Sequence, residues 1–134
     1  LYAMREILEG AAARLAAKHA SEPEIEALRD LETGFEQAAS AEEMARLNLL
    51  FHESIFACAR NRYLDSALQE LQDAIALLGR TTFSVDARPD AAGQEHRELI
   101  KALATQDADR ADALARAHIR ESLRARLKIM QQAG

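Results

Sequence analysis

Cysteine, proline, glycine and aromatic residues are all scarce in this 134-residue chain. A single cysteine, Cys58, excludes an internal disulfide and any metal site built on paired thiolates, a usage that suits a reducing cytoplasm. Two prolines and five glycines leave few breaks, and aromatics at 4% leave the core to aliphatic side chains. No segment approaches the ~18 consecutive apolar residues of a membrane span, and the opening Leu1-Tyr2-Ala3-Met4-Arg5 has no signal-peptide pattern, so no membrane association is expected. Nor is there a run of Lys and Arg free of interleaved acids. The net charge of −5 argues against direct nucleic-acid binding, since phosphate recognition relies on clustered bases.

What is abundant is Ala and Leu, within a 49% hydrophobic composition, and this is the balance of close-packed helices. The length fits one domain spanning residues 1–134, with a single substantial core. Because the helical pattern runs from the first residue, the chain reads as a piece of a longer polypeptide. Apolar spacing predicts a first helix over about 1–20 and a second from Ser21 and Pro23 to near Ala39. Ser40 followed by Glu43 is a capping-box pattern, so a third helix should run from there to about Ala59. Asn61 should cap a fourth carrying Leu64, Leu68, Leu71, Ile75 and Leu78. A loop is expected around 84–89, with Asp90 leading into a fifth helix and Asp107 capping a sixth. No window alternates as a strand does. The expected fold is all-α, an antiparallel bundle of about six helices.

Helix 3 is apolar almost all round, through Leu47, Leu49, Leu50, Phe51, Ile55 and Phe56, which places it centrally in the bundle. Two polar residues interrupt it. Asn48 and His52 are four apart, one turn above the other on the same face, so both can approach a single atom. His96 shares the Leu99/Ile100 face of helix 5, and His118 lies within the stripe Ala111, Leu114, Ala115, Ile119 and Ser122 of helix 6. Three of four histidines therefore point inward from three helices. The residues alone leave two readings open: core histidines bonded to neighbours, or ligands of a metal such as Zn, Ni, Fe or Cu with an amide oxygen beside them. His19, in the last turn of helix 1, reads as solvated. Cys58 reads as a small buried hydrophobe and Glu53 as solvent-facing or a salt-bridge partner. Arg5 is either solvated or a bidentate partner for a carboxylate.

The segments Tyr2-x-x-Arg5-x-x-Leu8-Glu9, Asn48-Leu49-Leu50-Phe51-His52, Glu95-His96-x-x-Leu99-Ile100 and Ala117-His118-Ile119 together resemble the FCD domain. This is the effector-binding domain of the FadR subfamily of GntR-type transcriptional regulators, and the resemblance covers nearly the whole chain. It implies a helical bundle with a central pocket, a divalent metal (Zn, Ni, Mn or Fe) held by Asn48, His52, His96 and His118, and a small organic acid beside it. Arg5 would meet the effector's carboxylate. Asn48 stands where many members carry Asp, and six helices rather than seven are similar to the shorter, VanR-like members. The resemblance also implies a homodimer, for which helix 4 has apolar surface to spare. DNA would be reached only through a winged-helix domain outside this chain. A non-enzymatic cytoplasmic sensor is thus expected. Its rivals are a metal-dependent enzyme, against which stands the lack of a His-Glu-x-x-His or Glu-x-x-His segment, and a helical interaction module with structural histidines.

Overall fold

A computed structural model describes residues 1–133. Six α-helices follow one another: α1 Tyr2–His19, α2 Glu22–Gln37, α3 Ala41–Cys58, α4 Arg62–Ala76, α5 Arg88–Ala104 and α6 Ala108–Ala133, with a 3-10 turn at Thr82–Ser84 between α4 and α5. No strand occurs among the described residues, and the fold is the all-α bundle expected. No helix is long and apolar enough to cross a membrane.

The helix starts follow from local chemistry. Ser21 accepts from the Glu24 backbone N–H while the Glu24 side chain accepts from the Ser21 N–H, a complete reciprocal cap. At Ser40 only half of the expected box forms, because the Glu43 carboxylate turns to Arg46 instead. Asn61 Oδ1 accepts from the backbone N–H groups of Tyr63 and Leu64, and Asp107 accepts from that of Arg110. Each such cap contributes about 1 kcal/mol. The fifth helix begins at Arg88, two residues earlier than expected, with Pro89 in its first turn. Ala87 turns the chain into it from the left-handed region at φ 67°, and the early start brings Arg88 into the interior.

The principal core joins Ala13, Ala16 and Ala17 of α1 to Ile25 and Leu28, Phe51 and Ile55, Leu99 and Leu103, and Ala111 and Ala115. Small residues at the α1–α6 contact let those helices lie close, and Gly10 faces the Asp112 and Arg116 side chains with no room for a Cβ. Helix α3 is lateral rather than central. Phe51, His52, Ile55 and Phe56 face inward, but Leu49 and Leu50 are about 40% exposed. Its near-continuous apolarity covers one interior face and one outer strip. Helix α4 lies on the flank against α1 and α3 and buries only Leu68 fully, with Leu64 and Leu71 half-covered and Leu77 and Leu78 exposed.

Candidate functional site

The structure brings three of the four histidines together. His52 from α3, His96 from α5 and His118 from α6 are each at least 97% buried, and each offers a ring nitrogen within 4.8 Å of the others. His19 is exposed at the end of α1, as the sequence suggested. Phe51 stacks on the His96 ring at 4.3 Å between centroids, and the His52 and His118 rings lie nearly parallel at 5.1 Å. Asn48, one turn before His52, has a buried Oδ1 with no hydrogen-bond partner among the described residues.

Behind each ring stands a glutamate carboxyl group. His52 Nδ1 lies 2.6 Å from Glu9 Oε1, His96 Nδ1 2.5 Å from Glu32 Oε1, and His118 Nδ1 2.6 Å from Glu95 Oε1. An Nδ1–H that donates to a carboxylate leaves the Nε2 of a neutral ring with a lone pair, and this arrangement orients histidines at metal centres. Burial, then the neighbouring imidazoles and Arg88, hold His96 and His118 well below the usual imidazole range, so both are neutral at physiological pH. His118 Nε2 faces His52 Nε2 at 3.2 Å, and His96 Nε2 has no partner among the described residues. A proton on either nitrogen makes this contact a hydrogen bond, whereas with both lone pairs free a cation between them would relieve their repulsion. Adjacent nitrogens bound to one ion at ~2.0–2.1 Å are separated by roughly 3.0–3.4 Å, so the observed spacing fits a shared divalent metal. The orphaned Asn48 oxygen adds a fourth acceptor of the right chemistry.

The carboxylates are themselves held. Glu9 Oε2 accepts from Arg5 Nε at 2.6 Å, both side chains being buried. Burial opposes ionisation of Glu9, but the Arg5 charge and the His52 contact prevail and keep its carboxyl well below the ordinary range. Glu95 receives both terminal nitrogens of Arg88 at 2.9 Å, and Arg88 also donates to Ser122 Oγ at 3.2 Å. Glu32 differs: burial first, and then Glu36, push its carboxyl up to about 9. Glu9, Glu32, Glu95 and Arg88 have no role in the site as read from sequence. Only Glu32 left a positional hint, since it sits on the buried stripe of α2 between Leu28 and Phe35.

A cavity of about 300 Å³ opens beside the histidines between α1, α3, α4, α6 and the linker after α4. Asn48 and His118 line its inner end, and Arg5, Tyr2, Ser122 and Arg126 its α1–α6 wall. Glu53 is part of the α3 wall and is half-buried, without a salt-bridge partner among the described residues. Cys58 is buried outside this cavity, its thiol pushed up to about 12 by burial and Glu24.

A family model described as the FCD domain matches residues 1–121. The chain is 26% identical over 122 residues to the "Uncharacterized HTH-type transcriptional regulator YdhC" of Bacillus subtilis strain 168, a match that covers 88% of this chain and 54% of the relative. It thus spans about half the length of that curated relative. Among solved structures it is similar to E. coli McbR/YncC, with a TM-score of 0.86 at 17% identity, covering 94% of this chain and 65% of the other. That likeness speaks for the fold, and the family match over residues 1–121 makes this chain a member of the FCD domain family.

Proposed function

We propose that this domain is the sensor of a transcriptional regulator, in which a divalent metal held by Asn48, His52, His96 and His118 anchors a small organic acid in the adjoining cavity. The observation that carries this reading is the convergence of ring nitrogens from three histidines, each ring held at Nδ1 by a glutamate carboxyl group. When bound, the ion supplies a Lewis-acidic anchor for a carboxylate. The chain's own residues do the rest. Glu9, Glu32 and Glu95 hold the rings, and Phe51 closes over His96. Arg5, with Nε given to Glu9, has its terminal N–H groups left to pair with the acid at the cavity wall.

Filling the cavity would change how α4 and its linker pack against α1 and α6. In a full-length regulator that change would reach a winged-helix domain outside this chain, which fits a relative named as an HTH-type regulator. A non-catalytic role accords with that relative. A cytoplasmic homodimer belongs to the same reading, with Leu77 and Leu78 of the α4 flank as free apolar surface, and sedimentation at micromolar concentration tests it.

Elemental analysis of purified protein tests the centre. About one divalent ion per chain is expected, lost in His52→Ala, His96→Ala or His118→Ala. A thousandfold excess of metal over its Kd should stabilise the fold by about 4 kcal/mol. If no metal is found and added Zn, Ni or Mn leaves Tm unchanged, the rings are structural packing. Asn48→Asp sharpens the test. Glu9 and Glu95 are already matched by Arg5 and Arg88, so an added aspartate would be the first unmatched negative group on the ion. It should tighten metal and weaken the acid by about tenfold or more. Tighter binding of both would refute these charge roles.

A further inference from the structure

The buried charges of this domain nearly cancel in pairs. Arg5 faces Glu9, and Arg88 faces Glu95. Arg126 is the exception: it is 94% buried on α6, lines the cavity, and has no carboxylate partner among the described residues. Its Nη1 donates to the Arg80 carbonyl at 2.7 Å, in the linker after α4, while its Nε is buried without an acceptor among the described residues. A buried guanidinium left short of both an acceptor and a counter-charge is costly unless something else completes it. Two acids also line the cavity, Glu53 on α3 and Asp73 on α4. They are half-buried and exposed respectively, and neither reaches Arg126.

We propose that Arg126 forms a second anion subsite at the far end of the same cavity, so that the pocket takes an acid with two anionic groups, a dicarboxylate, in preference to a monocarboxylate. This rests on the reading of the cavity as an organic-acid pocket. His118, Ser122 and Arg126 are spaced four apart and occupy one face of α6, with the Cα atoms of the outer two separated by roughly 12 Å along the helix. Helical side chains lean toward the N-terminus, so the Arg126 arm runs back toward His118 and shortens the gap. An acid with a backbone of about four to six carbons suits that span. One carboxylate would lie at the histidine and Arg5 end, and the other would give the Arg126 guanidinium its missing counter-charge. Because Arg126 also holds the Arg80 carbonyl, the second carboxylate would report directly on the linker that walls the cavity.

Calorimetry on the purified chain, with and without one equivalent of added Zn, tests this using succinate, glutarate and adipate against butyrate, pentanoate and hexanoate. The wild type should bind the best diacid about tenfold or more tighter than the monoacid of equal length, the effect expected of one added charge-assisted pairing. Arg126→Gln should collapse that ratio to about one, and Arg126→Lys, which keeps the charge but not the fork, should retain part of it. The wild-type ratio decides the matter even if the glutamine variant does not fold. Equal affinity for both series in the wild type, or an unchanged ratio in a folded Arg126→Gln, would overturn the proposal while leaving the organic-acid reading intact. If neither series binds at millimolar concentration, both fall.

Discussion

Along the α1–α6 wall of the cavity, Arg5, Glu9, His118, Ser122 and Arg126 are all more than nine-tenths buried, whereas along α4 only Leu68 is. The first wall is held by charged groups bonded across helices, and the second by a few aliphatic contacts and a linker with a left-handed residue at each end, Gly79 and Ala87. A pocket built this way keeps its chemistry fixed and its volume adjustable. Elements with few buried contacts open at lower free energy than the core, which is where a ligand-responsive segment has to be found. On the proposed reading, the difference would put sensing on one side of the cavity and recognition on the other.

The contrast breaks most severely at Glu9. Glu9→Ala would leave the buried Arg5 unpaired and free the His52 ring, and should cost about 3–5 kcal/mol in urea unfolding, because a lone buried charge is worse than none. A loss under 1 kcal/mol would mean that water reaches Arg5 and that the wall is not dry. Next comes Leu68→Ala, which removes the one fully buried side chain of α4 and should cost about 2–4 kcal/mol. Its signature is local: amide exchange should accelerate in α4 and the following linker far more than in α1 or α6. Uniform acceleration across all helices would show that the two walls unfold as one unit. The smallest effect concerns Cys58, on the inner side of α3. With its thiol pushed up to about 12, alkylation by iodoacetamide at pH 8 should be negligible in the folded chain and rapid in urea. The sign for stability follows. The folded thiol keeps its proton longer than the unfolded one, so this contribution is complete below about 9 and fades as pH rises toward 12. Fast native-state alkylation would place α3 among the mobile elements.

The helices were legible because their starts rest on short-range chemistry: Ser21, Ser40, Asn61 and Asp107 all cap where the spacing places them. The inward direction of His52, His96 and His118 was legible too, since each shares a face with apolar neighbours. What failed depended on longer range. Leu49 and Leu50 look like core residues in sequence, yet both are about 40% exposed, and Leu49 lines the open cavity that separates α3 from α4. Arg88 reads as a loop residue before proline, because the left-handed turn at Ala87 that starts α5 early leaves no pattern. Glu9 and Glu95 are single acids in a chain that has 22, and apart from the place of Glu32 on the buried stripe of α2 nothing in spacing separates an acid that holds an imidazole from one that faces water. Only the crossing of helices distant in sequence assigns them.

Gly10 shows how such a crossing is set. A methyl group there would press on the Arg116 side chain, whose Nε lies 2.7 Å from where it would stand, and on Asp112, which Arg14 and Arg116 already hold in place. The neighbouring residue is Glu9. The thickness of one side chain at this point therefore acts as a shim between α1 and α6, and a change in it would shift Glu9, together with the His52 ring it holds on α3, relative to His118 on α6. If the centre binds a metal as proposed, its affinity would then be tunable from outside it, by a change in bulk at a position that does not line the cavity.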